Sequence, residues 1–277
     1  MKVGFQGIPG AYSEMAARSI YKGKRLQLKS YPSFEKVFRA VESGKIDCGV
    51  IPIENSLAGS IHENYDHLLH HKVWISDEYY LRVKHSLVAS TNAKLSTIRK
   101  VYSHPQALGQ CSQFLKDKGF QPQPYFDTAG SAKLVSEMND PEIAAIAGSH
   151  TALDYKLKIL KTSIEDDHLN YTRFFVVQKQ TVSRRRLEGG KTNKTSIAFS
   201  LKNVPGGLQK SLSVFAIRDI DLTKIESRPL KGSPWKYRFY LDMKGSIKDE
   251  PIMKCLGHLE EITEEIKVLG SYPIAKM

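Results

Sequence analysis

The fold turns on the stretch Ile46-Asp47-Cys48-Gly49-Val50-Ile51-Pro52-Ile53-Glu54-Asn55-Ser56-Leu57-Ala58-Gly59-Ser60-Ile61. Residues 46–51 read as a strand, with Cys48 in it as a small buried side chain. Glu54, Asn55, Ser56 and Ser60 then bring hydrogen-bonding groups to the end of that strand, just before a helical pattern. In open α/β sheets, ligands bind at that end. Helix capping by Ser56 or Ser60 is the alternative use, and it would occupy only part of the set.

Upstream, residues 2–6 form a short strand that runs into Gly7-Ile8-Pro9-Gly10-Ala11-Tyr12-Ser13-Glu14, with a helix after it. A glycine loop that opens a helix offers backbone N–H groups to an anion. The spacing is that of neither a dinucleotide fingerprint nor a P-loop, so a plain tight turn explains it as well. Ser33 can cap a helix whose apolar face is Phe34, Val37, Phe38 and Val41, closed by Gly44. The pattern to this point is β-α-β-α-β.

Downstream, one helix carries His62, His67, His70 and His71. His67 and His71 share a face, but no acidic or cysteine ligand stands at a telling distance. An amphipathic surface helix is the simpler reading, and no metal is expected. Strands at 73–75 and 79–89 lead into a second lobe. Residues 101–103 form a strand that meets His104-Pro105-Gln106-Ala107-Leu108, and the helix beginning there closes at Gly119. Tyr125-Phe126 is strand-like, and Asp127-Thr128-Ala129-Gly130-Ser131-Ala132 again brings polar groups to a helix start. A strand at 143–147 and a helix from Gly148 to Thr151 onward continue the alternation. The strands of this lobe are therefore expected to be mostly parallel. Two α/β lobes facing across a cleft, with crossings near 75–85 and 165–172, account for the recurring polar helix starts.

The returning segment is Asn170-Tyr171-Thr172-Arg173-Phe174-Phe175-Val176-Val177. Neighbours in a strand point to opposite faces, so Thr172 and Arg173 need not serve one ligand. A polar strand entrance with one structural ion pair is the plainer reading of the same residues. Asn-Tyr-Thr fits a glycosylation sequon, which matters only in a secreted chain.

Residues 179–194 are polar and basic, with Gly189-Gly190, and read as a linker. Beyond it come a strand at 195–201, a helix from Pro205, strands at 221–227 and 237–243, a helix at 252–266 and a last strand at 266–269. That order is β-α-β-β-α-β, the ferredoxin-like plan. So small a unit is expected to bury a sheet edge or face against a copy of itself.

Composition narrows the class. A length of 277 residues suits about two domains. No apolar run approaches the roughly 18 residues of a membrane span, and the N-terminal residues lack a signal-peptide pattern. Cys48, Cys111 and Cys255 are far apart and odd in number, which gives neither a disulfide framework nor zinc spacing, and a cytoplasmic setting is expected. The net charge of +12 invites a nucleic-acid reading. However, Arg184, Arg185, Arg186, Lys191 and Lys194 are concentrated in the linker against Glu188 alone, and no RNA-binding aromatic signature or helix-turn-helix stands out. No nucleic-acid partner and no membrane partner is expected. A basic field equally favours an anionic small substrate.

Taken together, these motifs resemble the monofunctional prephenate dehydratases over almost the whole chain. The resemblance rests on Gln6-Gly7 with Gly10 to Glu14, on residues 51–60, on His104 to Leu108, on Asp127-Thr128-Ala129, and on Asn170 with Thr172-Arg173-Phe174. The C-terminal part resembles an ACT domain, with Glu226-Ser227-Arg228-Pro229 as effector motif. The second effector motif departs from the family's Gly-Ala-Leu and reads Gly206-Gly207-Leu208.

The resemblance implies an α/β fold: a two-lobed, periplasmic-binding-protein-like catalytic domain at 1–178, then the linker at 179–194 and a ferredoxin-like ACT domain at 195–277. Lobe one would take 1–76 plus 170–178, and lobe two 77–169. It implies that prephenate loses its ring hydroxyl and ring carboxylate to give phenylpyruvate. Aromatisation drives that reaction, so no cofactor is expected. The implied catalytic residues are Thr172, as hydrogen-bond donor to the leaving oxygen, Arg173, which joins the carboxylate contacts or braces the loop, and Phe174, against the substrate ring or in the core. Asn55, Ser56, Ser60, Thr128, Ser131 and the backbone near Ala11 would bind substrate. L-Phenylalanine would act as effector through Asn203, Gly206, Gly207, Leu208, Glu226, Ser227 and Arg228, between ACT domains of a homodimer or homotetramer. Arogenate as substrate and a non-catalytic small-anion-binding module are the alternatives.

Overall fold

The computed structural model describes residues 1–180, 193–230, 232 and 235–275. In chain order the first elements are β1 (Lys2–Gln6), α1 (Tyr12–Ile20), β2 (Gln27–Tyr31), α2 (Phe34–Glu42), β3 (Cys48–Asn55), β4 (Gly59–Ser60), α3 (His62–His70) and β5 (Val73–Arg82). There follow β6 (Ser86–Ala89), β7 (Lys100–Ser103), α4 (Pro105–Gly109), α5 (Ser112–Lys118), β8 (Gln121–Pro124), α6 (Thr128–Met138), β9 (Ile143–Ala147), α7 (Thr151–Asp154), β10 (Lys158–Thr162) and β11 (Tyr171–Lys179). The last are β12 (Asn193–Ser200), α8 (Gly207–Ala216), β13 (Leu222–Pro229), β14 (Tyr237–Lys244), α9 (Glu250–Ile262) and β15 (Glu265–Pro273).

The chain divides into two units. The first comprises Met1–Val37, Gly49–Asn64 and Tyr80–Phe174, and the second Phe38–Cys48, Tyr65–Tyr79 and Phe175–Met277. These boundaries differ from the expected domain limits. One reason lies inside the second unit, where β15 pairs with β5 at Gly270 and Ile75, tying the C-terminal strands to an earlier segment.

In the first unit β1 and β2 pair in parallel, and β3 lies beside β1. Seven of the eight residues of β3 are buried, as expected of a strand covered on both faces. The strand runs on to Asn55, so Glu54 and Asn55 belong to it rather than to a loop. A five-stranded sheet runs β10-β6-β9-β7-β8. The expectation of mostly parallel strands is corrected here: β9-β7 and β7-β8 are parallel, but β10-β6 and β6-β9 are antiparallel. The strand-like reading of Tyr125-Phe126 is also corrected. The strand is 121–124, and its Pro122 and Pro124 are tolerated because β8 is the edge of its sheet. The helix after β7 is two pieces, α4 and α5, separated at Gln110 and Cys111.

The core beneath this sheet gathers Leu87, Val101, Cys111, Leu115 and Ile146 on one side and Val88, Ala132, Val135 and Ala145 on the other. Period-two alternation sends neighbouring strand residues to opposite faces, which makes both cores from the same strands. α6 is well delimited. Asp127 caps its start by accepting from Gly130 N, and Asn139 closes it in the left-handed region. Such a cap is worth about 1 kcal/mol.

In the second unit β12, α8, β13, β14, α9 and β15 follow the expected β-α-β-β-α-β order. The strands lie β13-β14-β12-β15, all antiparallel. Ile197, Phe199, Leu241 and Met243 pack under Phe215, Ile252 and Leu259. Of the expected linker, Lys179 ends β11, Asn193 and Lys194 begin β12, and residues 181–192 lie outside the described residues. Lys194 is buried and its Nζ stands 2.8 Å from Glu78 Oε1. On α3, His67 and His71 lie against the Phe38 ring, and His71 Nδ1 meets Glu42 Oε2 at 2.9 Å. Among the described residues no helix is long and apolar enough to cross a membrane.

Candidate active site

A cavity of ≈ 220 Å³ opens in the first unit, where β3 ends and β11, α1, α4 and α6 begin. Its lining includes Gln6, Gly7, Ala11, Tyr12, Ser13, Asn55, His85, His104, Gln106, Gln110, Asp127, Thr128, Thr172 and Phe174. No lysine or arginine is among the described residues that line it. Positive potential comes instead from helix starts. The amides of Tyr12 and Ser13 open α1 and have no partner within the helix. Thr128 opens α6, where Asp127 already takes the Gly130 amide. Burial pushes the Asp127 carboxyl above its usual range, against the pull of that amide, of His104 and of the Ala129 amide.

Thr172 and Phe174 point into this cavity and Arg173 does not, as alternation in β11 requires. Asn55 sets the direction of the Thr172 hydroxyl. Its Nδ2 donates to Thr172 Oγ1 at 3.1 Å, to Asn170 Oδ1 at 2.7 Å and to Tyr171 O at 3.2 Å. Its Oδ1 accepts from the amides of Leu57 (3.1 Å) and Ala58 (3.0 Å). A hydroxyl that accepts on one side keeps its proton to donate elsewhere, and here that side is the cavity.

The network continues beyond Asn170. Asn170 Nδ2 donates to Gln110 Oε1 at 3.0 Å, and His85 Nε2 lies 2.9 Å from the same oxygen. An oxygen that already accepts requires a proton on His85 Nε2. Nδ1 is then bare and lies 3.0 Å from the Tyr12 hydroxyl, whose one proton it shares with Lys84 O at 2.9 Å. Burial holds the His85 imidazole below its usual pKa, against the Gln110 bond and Glu165, so the ring is kept neutral. Burial likewise pushes the Tyr12 phenol up, aided by Cys111 and Glu165. Side-chain bonds therefore run without a break from Tyr12, at the start of α1, to Thr172.

The structure redistributes the residues expected to bind substrate. Ala11, Asn55 and Thr128 line the cavity, but the amide of Asn55 is spent on protein partners. Ser56 does not line it: its Oγ donates to Leu169 O at 2.8 Å and accepts from Tyr171 N at 2.9 Å, lacing two strand ends together. Ser60 pairs with Glu54 across β3 and β4. Ser131 is fully buried and turns back onto Asp127 O at 2.7 Å. A hydroxyl near a strand end looks the same in sequence whether ligand or backbone takes it. Arg173 is buried, with Nη1 3.9 Å from Glu54 Oε2 and its guanidinium over the Tyr80 ring, so it braces the strand. Phe174 is 1% exposed and forms a wall of the cavity as well as core. Tyr12, His85 and Gln110 are absent from the sequence-based set. Only Tyr12 had a local signal, its place in the glycine loop.

The residues expected to hold the effector fall into two groups in the second unit. Asn203, Gly207 and Leu208 line a cavity of ≈ 140 Å³ with Trp235, Tyr237 and Phe239. Gly206 precedes α8 in the left-handed region, at φ 73°. Glu226 and Arg228 are not in that cavity. Lys224 Nζ meets Glu226 Oε2 at 3.1 Å, and Arg228 Nη1 meets Asp66 Oδ1 on α3 at 2.9 Å. Ser227 is exposed on the opposite face of β13.

Sheets and helices of this order, with a cavity at strand and helix ends, define a mixed α/β protein of periplasmic-binding-protein-like fold. The family model for prephenate dehydratase matches residues 3–182. Arogenate dehydratase/prephenate dehydratase 2, chloroplastic, of Arabidopsis thaliana is 42% identical over 284 residues, covering 99% of this chain and 73% of that one. The solved prephenate dehydratase of Arthrobacter aurescens in complex with L-Phe aligns with a TM-score of 0.91 at 27% identity, covering 99% of this chain and 90% of that one. GqqA, described as a novel type of quorum quenching acylase, aligns with a TM-score of 0.92 at 30% identity, covering 99% and 98%. The chain belongs to the prephenate dehydratase family.

Proposed function

We propose that this chain converts prephenate to phenylpyruvate, water and carbon dioxide, the dehydration that leads to L-phenylalanine. The observation that carries the reading is the Thr172 hydroxyl, held by Asn55 with its proton free toward a cavity of helix starts. The ring C–CO₂⁻ bond breaks and its electron pair enters the ring as the C–OH bond breaks. One proton is consumed as the hydroxyl leaves as water. Thr172 stabilises that leaving oxygen as a hydrogen-bond donor, a role worth roughly 2–4 kcal/mol by analogy with oxyanion donors.

The lack of lysine and arginine side chains among the described lining residues fits this chemistry. A salt bridge to the departing carboxylate would stabilise the ground state more than the transition state and slow decarboxylation. Helix-start amides at Tyr12 and Ser13 suit the side-chain carboxylate, which does not react. Phe174 offers an apolar wall to a ring that becomes aromatic.

Arogenate is the second reading, favoured by the shared name of the Arabidopsis relative. It differs from prephenate by an ammonium group in place of a carbonyl. L-Phenylalanine as effector is supported by the L-Phe complex of the Arthrobacter protein. For this chain we place the effector at the Asn203, Gly207 and Leu208 cavity, completed by a second copy along β13. The domain division at 178 and 195, a homodimer or homotetramer, and a cytoplasmic setting belong to the same proposal. The test is turnover of prephenate and of arogenate side by side, with and without L-phenylalanine. Phenylpyruvate from prephenate supports the first reading. Phenylalanine from arogenate alone moves the assignment to the second. No product from either removes the enzyme reading and leaves an anion-binding module.

A further inference from the structure

We infer that His150 and Tyr155, at the two ends of α7, are positioning residues that hold the backbone before α1 in the orientation that receives the substrate carboxylate. The inference rests on the dehydratase reading of the cavity. Neither side chain lines that cavity. Both reach the glycine loop from about half the chain away. Tyr155 Oη donates to Pro9 O at 2.6 Å, and His150 Nε2 donates to Gly10 O at 2.8 Å.

These two bonds complete a pattern. The Pro9–Gly10 peptide is held at its carbonyl by Tyr155 and at its N–H by Glu14 Oε2, 2.8 Å away. The Gly10–Ala11 peptide is held at its carbonyl by His150 and at its N–H by Ile8 O, 3.1 Å away. All four polar groups of two successive peptides are occupied, and the next amides, Tyr12 and Ser13, are those that open α1 toward the cavity. The clamp is tight as well as polar. Gly10 has φ +89°, and a Cβ built there would stand 3.0 Å from Thr151 Cγ2, so only glycine lets the loop approach α7. On its other side, Tyr12 is held at Lys84 O and His85.

His150 has a second feature. Its Nδ1 is buried and has no hydrogen-bond partner among the described residues. A buried ring nitrogen left unpaired is unusual and calls for a reason. Here the ring is placed for the sake of one bond, from Nε2–H to Gly10 O. A clamp that only stabilised the fold would affect melting. One that orients the α1 amides affects binding of a carboxylate and leaves the later step at Thr172 alone.

The test is steady-state kinetics of the full chain with whichever of prephenate or arogenate it turns over, together with calorimetric titration of phenylpyruvate. Loss of one such bond is expected to raise KM and the phenylpyruvate Kd about five- to tenfold in Tyr155→Phe and in His150→Ala, with kcat within about twofold. His150→Gln, whose Nε2 can donate to the same carbonyl, is expected to recover most of the loss. Unchanged KM and Kd in the first two variants, or a fall confined to kcat, overturns the inference. So does failure of His150→Gln to do better than His150→Ala when melting temperatures match. Wild-type protein that binds phenylpyruvate without turning over either substrate defeats the dehydratase reading, and the Kd comparison alone then decides the clamp. Wild-type protein that does neither defeats both.

Discussion

Asn55→Asp is nearly isosteric and reverses one hydrogen bond at the candidate active site. The acceptor oxygen that holds the Leu57 and Ala58 amides is retained, so the turn between β3 and β4 keeps its bonds. At the other position a donor becomes an acceptor. That position faces Asn170 Oδ1 at 2.7 Å, Thr172 Oγ1 at 3.1 Å and Tyr171 O at 3.2 Å. Of these three, Thr172 carries a proton it can turn toward the new carboxylate at once, whereas Asn170 could present its Nδ2 only by flipping away from Gln110. The hydroxyl then donates to the protein and withdraws from the cavity. If Thr172 stabilises the leaving oxygen, kcat should fall by about 10²–10³, the cost of one oxyanion-type donor. KM should stay within about threefold, because the starts of α1 and α6 are untouched. The buried Asn170 Oδ1 also loses its donor, while Tyr171 O keeps the Ser56 amide at 2.8 Å; at about 1–3 kcal/mol, this lowers the melting midpoint by roughly 2–10 °C in a chain of this size. The assay is kcat and KM at 25 °C beside a thermal melt. A normal kcat in a variant whose melting point has dropped would refute the reasoning, since the network would be broken without effect on the hydroxyl.

Thr172→Val keeps the shape of the side chain and removes the donor. It should lose about 10²–10³ in kcat, while Thr172→Ser should retain most of it, both read by turnover. His85 is held below its usual pKa mainly by burial, with Gln110 and Glu165 opposing. The unfolded chain therefore binds this proton first, and stability is full above about pH 6.5 and declines as pH falls toward the folded value. The melting midpoint of wild type should accordingly drop more between pH 7 and pH 5 than that of His85→Gln, and equal slopes would count against a neutral buried His85. At Gly207, the first residue of α8, an added Cβ would meet only Lys202 O at 3.4 Å and Val204 Cγ2 at 3.5 Å, ordinary contacts. Gly207→Ala should thus stabilise the protein by about 0.4–1 kcal/mol, seen as a higher melting midpoint, with a lower one showing that the turn needs glycine.

The features legible in the sequence were local ones. Residues 46–51 announced β3, whose strand runs from Cys48 to Asn55 with seven of its eight residues buried. Asp127 announced the start of α6, because a cap acts on amides within one turn. Alternation separated Thr172 from Arg173 before any contact was known. The β-α-β-β-α-β order of the C-terminal part followed from periodicity alone. Pairing direction in the second sheet was not legible, because an α/β alternation does not reveal that β6 and β10 enter antiparallel. β10 itself, Lys158–Thr162, carries no apolar run to mark it.

What the sequence determined by itself was most of the secondary elements, since these depend on residues a few positions apart. The tertiary structure alone decided which polar side chains are free. Ser56 and Ser131 have the composition of ligand-binding residues, yet backbone carbonyls take their hydroxyls. His85 and Gln110 carried no sequence signal; folding joined Tyr12 to His85 across 73 positions and Asn170 to Gln110 across 60. A hydrogen bond needs its partner within about 3 Å. Only the folded chain brings such distant residues that close, and only there is the Thr172 proton given a direction.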